Sequence, residues 1–441
     1  MPAVVILSHQ EQLERLGEEC PEALDRALVA GDICFDRLAA SLPWREDYRA
    51  ALGLRPGQRL VVVTSTWGPW SLLGEHPGLI ARLLADLPVD EYLVAAVIHP
   101  NVWHGHSPWQ VRAWLADCRR AGLVVVPPRE GWRAALVAAD LVIGDHGSVT
   151  LYGAALGRPV LFGSFPANAV DPRTALAELG RHAAVIDDRP PAEQVDSAIT
   201  KHDPHMGARV ADGAFAAQGR AAEILRAHMY PLMRLDPPPA PARTSPVPPC
   251  GPEPRQWTDA ERPALLATVA ITRSPGRADF LVERCPAEVA DLRSAPLRAN
   301  RHLVVDGTET DHRLRALADL LVQRADARSR PAFGDRALTV AEVRKDGECR
   351  LQLPSGGTLA LRANAANTAN RAKAANAASA ADTAVTATAT DTATAAIDPS
   401  VLASAIYAWV AEGHSIAGLP AELNARTGAL TISFTCERIS G

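Results

Sequence analysis

The sequence predicts an α/β protein: an open, doubly wound parallel sheet, then a proline-rich linker, then a second, small α+β module. Three observations carry that prediction. Up to about Leu235 the chain alternates continuous apolar, β-branched runs with helical patterns. Strands buried on both faces and joined by crossover helices read this way. Residues 236–254 then hold nine prolines in nineteen positions, which makes a stiff, exposed linker of polyproline II character. Beyond it, shorter strand and helix signals return before an alanine-rich tract.

Taken in order, Val4 to Leu16 reads as a strand and a helix. Strands are expected at Leu60–Thr66, Tyr92–Ile98, Leu123–Val126, Leu141–Gly144 and Pro159–Phe162, with helices at His76–Leu87, Trp109–Ala121, Glu130–Ala139 and Ser148–Leu156. A helical stretch from Met206 to Leu235 closes the first unit. In the module at 255–362, Leu303–Gly307 predicts a strand and Glu309–Arg328 an amphipathic helix. Leu338–Leu361 predicts a β-hairpin turning at Pro354-Ser355-Gly356-Gly357. Residues 363–396 are half alanine with almost no large apolar side chain, so low-complexity disorder is expected. Residues 397–441 form an apolar close that packs on the module.

Composition narrows the function. The chain has 441 residues, 45 basic and 50 acidic, for a net charge of −5. That length supports two or three domains with real cores. Such a charge provides no broad field for nucleic acid or an anionic membrane, so any bound phosphate must be held by local donors. Only three basic residues, Lys201, Lys345 and Lys373, are lysine, a bias of the actinobacterial, GC-rich type. Seven cysteines, odd in number and never in C-x-x-C spacing, argue for a reducing cytoplasm and against a disulfide framework or zinc ribbon. No signal peptide or apolar run of membrane-spanning length is found, so a cytoplasmic location is expected, with peripheral membrane contact left open.

In a doubly wound sheet, ligands sit beyond the carboxyl ends of the strands. Three polar clusters stand there: Thr64-Ser65-Thr66-Trp67, His99-Pro100-Asn101, and Gly144-Asp145-His146-Gly147-Ser148. The last opens a helix, whose unpaired N–H groups and dipole receive a diphosphate without any lysine. Gly147 permits close approach, Ser148 offers a hydroxyl, and His99 can donate to an anion or accept a proton. Each has a simpler reading: Asp145 or Ser148 as a helix cap, and His99 as a strand terminator. His99, His104 and His106 lack a plausible fourth ligand for a metal site, so no metal is expected. Trp103, Trp109 and Trp114 are expected to pack a helix and loop. Asp306, Glu309, Asp311 and His312 are read as acids drawn to a helix N-terminus. P-loop, G-x-G-x-x-G and G-x-S-x-G motifs are all missing.

The run Ala139 to Val149, followed by Ala154-Ala155-Leu156-Gly157-Arg158-Pro159-Val160-Leu161, resembles the Rossmann-like donor-binding half of GT-B glycosyltransferase-like enzymes. More narrowly, it resembles the CDP-glycerol glycerophosphotransferases of teichoic-acid synthesis, in which a T-D-Y-S-S-V segment opens the equivalent helix. Gly31-Asp32-Ile33-Cys34-Phe35-Asp36-Arg37-Leu38 is similar to the family's G-x-P-x-x-D-x-L, and Thr64-Ser65-Thr66-Trp67 to its A-P-T-W. UDP-N-acetylglucosamine 2-epimerases are a weaker match. The resemblance spans about residues 31–165. It implies a nucleotide-diphosphate donor, CDP-glycerol or a UDP-sugar, held by Thr66, Asp145, Gly147 and Ser148, with His99 and His146 as the catalytic candidates. No resident cofactor is implied. The acceptor would be a polymer or lipid-linked precursor.

Two departures matter. Where the family has a ribose-binding carboxylate four residues after the serine, this chain has Tyr152. The first GT-B domain is reduced to residues 1–30, leaving 31–235 as the donor-binding unit. Either the start is late, or the chain is a half-enzyme that binds a donor without an opposing wall. Alternatives to the transferase are therefore a non-catalytic nucleotide-binding or scaffold protein, and an epimerase-like enzyme.

Overall fold

A computed structural model describes residues 2–249, 262–290, 300–324, 339–344, 348–354, 357–364 and 398–439. The alanine-rich tract, apart from Ala363 and Asn364, and the end of the linker lie outside the described residues. The first unit opens with β1 (Val5–Leu7), the helix Gln10–Glu19 and β2 (Ala27–Val29), which form a two-stranded parallel sheet.

The main sheet follows, with β3 (Arg59–Ser65), β4 (Tyr92–Ile98), β5 (Val124–Val125), β6 (Leu141–Gly144) and β7 (Val160–Phe162) all parallel. Alternation of side chains sorts β3 between two cores. Val61 and Val63 pack with Leu79, Ile80 and Leu83 on one face; Leu60 and Val62 pack with Leu38, Tyr48 and Leu136 on the other. Burial on both faces explains why these strands read as unbroken apolar runs. Strand order is β5-β4-β3-β6-β7, so the winding reverses between β3 and β6. At such a reversal the crossover helices diverge and leave a crevice at the carboxyl edge.

The predicted helices are shorter than their patterns. Trp109–Ala121 is two helices, Pro108–Trp114 and Ala116–Arg120. Met206–Leu235 is also two, Met206–Ala214 and Ala221–Met233. The second break holds Ala217 and Gly219 at positive φ, backbone that a helix cannot continue through.

The second unit is α+β in content and closed in form. Strands β8 (Leu265–Ser274), β9 (Arg277–Pro286), β10 (Arg301–Asp306), β11 (Leu320–Arg324), β12 (Thr339–Val343), β13 (Cys349–Gln352), β14 (Thr358–Ala363), β15 (Glu422–Thr427) and β16 (Leu430–Ile439) close a barrel in the order β10-β11-β12-β13-β14-β16-β15-β9-β8. Its interior is filled by the helix Ser400–Ala411. Val401, Leu402, Ala403, Ala405, Ile406, Ala408 and Trp409 of that helix are all buried. A helix apolar on every side can only be satisfied this way.

Three expectations are amended here. Glu309–Arg328 is a short helix, His312–Leu317, followed by β11. Leu320-Leu321-Val322 pairs with both β10 and β12, and two ladders of backbone hydrogen bonds override local helix propensity. The predicted hairpin is present as β13 and β14, antiparallel with Gln352 opposite Thr358, but β12 adds a third strand to it. The linker is anchored as well as exposed: Val247 is buried, its N–H donates to Ser41 Oγ, and its carbonyl accepts from Tyr48 Oη.

The barrel meets the first unit at the amino-terminal edge of the sheet. Arg284 of β9, 3% exposed, donates from Nε and Nη2 to both oxygens of Asp90, just before β4. Its Nη1 reaches Asp398 and Ser400 at the start of the central helix, and Arg324 joins Asp398 to Asp306. Val89 N–H donates to the Arg284 carbonyl, and Thr427 Oγ1 donates to Asp90.

Candidate functional site at the carboxyl edge

At the opposite edge the three polar clusters are neighbours. His99 N–H donates to the Ser65 carbonyl at 3.0 Å, a continuation of the β3–β4 ladder. Thr66 N–H donates to Asp145 Oδ2 at 2.8 Å, which joins the end of β3 to the end of β6 across the crevice. A side chain on Gly147 would lie 2.9 Å from Asp145 Oδ1 and 3.2 Å from Thr66 Cβ. Glycine is therefore required there by the close approach of the two strand ends.

Asp145 takes a different part from the one expected. Its side chain is fully buried. It accepts from Thr66 N, Leu72 N and Gly147 N at 2.8–2.9 Å. A carboxylate spent on three backbone donors holds the loops together. The same bond uses the Gly147 N–H. What remains is the start of the helix Ser148–Ala155, whose N-cap Gly147 supplies no side-chain cap. Among the described residues nothing accepts from the N–H groups of Ser148 and Val149, and Ser148 is exposed. Two free donors, a hydroxyl and a helix dipole thus face solvent at the crevice.

His99 caps the helix Pro100–His106, its Nδ1 accepting from Asn101 N at 3.1 Å. Because Nδ1 is the acceptor, a neutral ring carries its proton on Nε2, which is the free nitrogen and a donor. His146 lies in the turn with a buried Nδ1 that has no partner. Thr66 is half-buried beside Gly147. The tryptophans divide: Trp103 is buried, whereas Trp109 is 73% exposed and Trp114 largely so, against the expectation that all three pack. Trp67 and Trp70, on the loop after β3, are also exposed.

One turn along the Ser148 helix, Tyr152 donates from Oη to Asp32 Oδ2 at 2.9 Å. Burial and the Asp32 charge push its phenol well above the ordinary range, so it remains a donor. Asp32 also caps the helix Ile33–Ala40. Sequence reasoning treated Tyr152 as a missing carboxylate; the chain places the carboxylate of Asp32 against it instead. The signal available was the pair Gly31-Asp32, which lies far from Tyr152 in sequence. Asp306 and Asp311 are satisfied locally, Asp311 capping His312–Leu317 and Asp306 pairing with Arg324.

No family model and no curated protein matches this chain. Among solved structures it is similar to the wall teichoic acid polymerase TagF, with 15% identity and a TM-score of 0.35 over 51% of this chain and 55% of that one. It is similar to a UDP-GlcNAc 2-epimerase from Neisseria meningitidis bound to UDP-GlcNAc, with 14% identity and a TM-score of 0.31 over 50% and 57%. It is also similar to WaaG, a glycosyltransferase involved in lipopolysaccharide biosynthesis, with 18% identity and a TM-score of 0.29 over 49% and 60%. The chain spans between half and two thirds of the length of each. Among the described residues no helix is long and apolar enough to cross a membrane.

Proposed function

We propose that the first unit binds a nucleotide-diphosphate donor at its carboxyl edge and serves a transferase of the GT-B, CDP-glycerol glycerophosphotransferase-like type. The observation that carries this reading is the uncapped helix start at Ser148 and Val149, placed where β3 and β6 part and flanked by Thr66 and His99. Asp145 holds that start in position through Thr66, Leu72 and Gly147. The diphosphate lies against the two N–H groups and the Ser148 hydroxyl, and His99 Nε2–H donates to it as charge builds on the leaving group. His146 is the second proton carrier. Asp32, braced by Tyr152, takes the ribose role that the family gives to a carboxylate on the Ser148 helix.

Calorimetry with CDP and UDP tests this. The wild-type chain should bind one of them, and Ser148→Ala and His99→Ala should each weaken that binding about tenfold, the loss of one charge-assisted contact. Equal weak heats for all three proteins would overturn it.

A second reading, donor binding without catalysis, is favoured by one observation. The barrel docks at the amino edge through Arg284 and Asp90, so it supplies no wall across from Ser148. Catalysis needs such a wall to exclude water and position an acceptor. Under this reading CDP binds but no nucleotide is released from CDP-glycerol.

A further inference from the structure

The amino-terminal part of the first unit presents apolar surface that the described residues leave open. β1 and β2 form a parallel sheet of two strands, whereas parallel sheets are ordinarily larger and covered on both faces. The helix between them, Gln10–Glu19, has no buried residue. Ile6 pairs with Leu28, and paired neighbours point to the same face of a sheet. Leu28 lines a groove of ≈ 340 Å³ together with Ile224, Ala227 and His228 of the helix Ala221–Met233. That helix buries Ala221 alone. Ile224, His228 and Leu232 stand at i, i+4 and i+8, one stripe along it, so the wall of the groove runs on to Leu232. Met229, Leu232, Met233 and the following Leu235 are 44–58% exposed.

This surface is held in place from behind. Ala216 N–H donates to the Ser8 carbonyl at 2.7 Å, and Ser8 Oγ donates to the Ala214 carbonyl at 3.1 Å, which ties the end of β1 to the segment leading into the helix. Buried Asp36 accepts from Gly219 N and Ala221 N at 2.6 and 3.0 Å, which fixes the helix start. A side chain on Gly31 would lie 2.3 Å from the Ala216 carbonyl oxygen, so the end of β2 is seated against the same segment. A helix anchored at its start and left apolar and exposed over its second half marks a docking surface.

Charge and strand edge together say what covers it. The helix Gln10–Glu19 carries four glutamates against Arg15, whereas Arg220 to Arg234 holds three arginines against Glu223. One copy thus carries an acidic and a basic helix at the same end of the unit. A two-fold axis can set the acidic helix of each copy against the basic helix of the other. The edge agrees with this. Val4-Val5-Ile6-Leu7 has neither charge nor proline, and among the described residues β1 pairs with β2 alone. Its other edge therefore lacks the features that keep a strand from pairing with a copy of itself.

We propose that this surface is the interface of a two-fold symmetric dimer, in which the Leu232–Leu235 end of each copy's helix covers the Ile6–Leu28 face of the other. β2 leads through Gly31 into Asp32, which accepts from Tyr152 on the Ser148 helix. A second copy seated here stands beside the carboxyl edge, on the side that the barrel leaves open. The dimer does not rest on the donor reading, because it is scored by mass and not by CDP binding.

Sedimentation velocity of the full chain over a range of concentrations tests this. The wild-type chain should reach a dimer and go no further. Leu232→Asp should weaken association about tenfold or more, with unchanged far-ultraviolet circular dichroism because the side chain is exposed. Leu235→Asp, beyond the helix, should act in the same direction, and it decides if Leu232→Asp fails to fold. Leu317→Asp, at a leucine of the second unit that is 46% exposed, should leave the dimer intact. A chain that stays monomeric at every concentration or assembles without limit would overturn the proposal. So would a dimer that both Leu232→Asp and Leu235→Asp leave intact, or that Leu317→Asp weakens equally.

Discussion

The junction between the two units and the carboxyl edge of the α/β sheet handle polar groups in opposite ways. In the barrel, the charged groups sunk at its junction with the first unit are paired. Arg284 is matched by Asp90 and Asp398, and Arg324 by Asp398 and Asp306. In the α/β unit, one carboxylate, Asp145, is fully spent on backbone donors, while the helix start beside it is left open. Complete pairing secures an interface; incomplete pairing at a crevice leaves donors for a ligand. The difference separates the polar groups that hold the molecule together from those left open to solvent.

The largest test of that comparison is Arg284→Ala. It leaves Asp90 with only the longer contact to Arg55 at 3.5 Å and Asp398 with Arg324 alone, and should cost about 3–5 kcal/mol, read by chemical denaturation. Arg284→Met is expected to cost less, because the methionine fills part of the volume. A loss below about 1 kcal/mol for both would mean the junction contributes nothing.

Asp145→Ala comes next. Three backbone donors lose their acceptor, for about 2–4 kcal/mol, with water recovering part of the loss. CDP binding should fall with it, because Thr66 and Gly147 lose their common anchor. Retained CDP binding at lowered stability would break the link between Asp145 and the site.

Acid titration separates the units by pH window. His302, 1% exposed and packed on Tyr407 of the central helix, has neither ring nitrogen bonded. Burial lowers its pKa to about 3 from 6.5. The unfolded chain therefore takes up a proton below pH 6.5 that the folded barrel refuses, and stability falls by up to about 1.4 kcal/mol per pH unit in that range. For Asp90, burial opposes ionisation, but the Arg284 guanidinium outweighs it and holds the carboxyl below the usual range. Its contribution is present above the unfolded pKa near 4 and is lost as pH falls further. His302→Leu should flatten the profile between pH 6.5 and 4.5 and leave the steeper acid limb intact. An unchanged profile would rule out His302 as its source.

The smallest effect is expected for Ser148→Ala. Its hydroxyl is exposed and makes no side-chain cap, so stability should change by less than about 0.5 kcal/mol. A large loss would show Ser148 to be structural.

The parallel sheet was legible because its strands are buried on both faces, and β4 and β6 keep the very limits their apolar runs suggest. The three clusters at the carboxyl edge were legible for a related reason: strand direction puts all their ends on one side. The barrel was not. Its two ends of chain, β8 and β16, are far apart in sequence, and β10, β11 and β12 pair in parallel, which leaves no local turn signal. The central helix Ser400–Ala411 reads as a short apolar run, and nothing local says that nine strands enclose it.

By itself, then, the sequence determined the period and burial of the α/β strands, the polar residues that follow them, and the scarcity of lysine. Those are local properties, written in neighbouring residues. Tertiary structure alone decided that Asp145 faces inward, that Asp32 meets Tyr152, and that the barrel docks at the edge opposite Ser148. Each of these depends on which distant groups reach a polar atom first, and hydrogen-bond and charge satisfaction is a property of the whole packed chain.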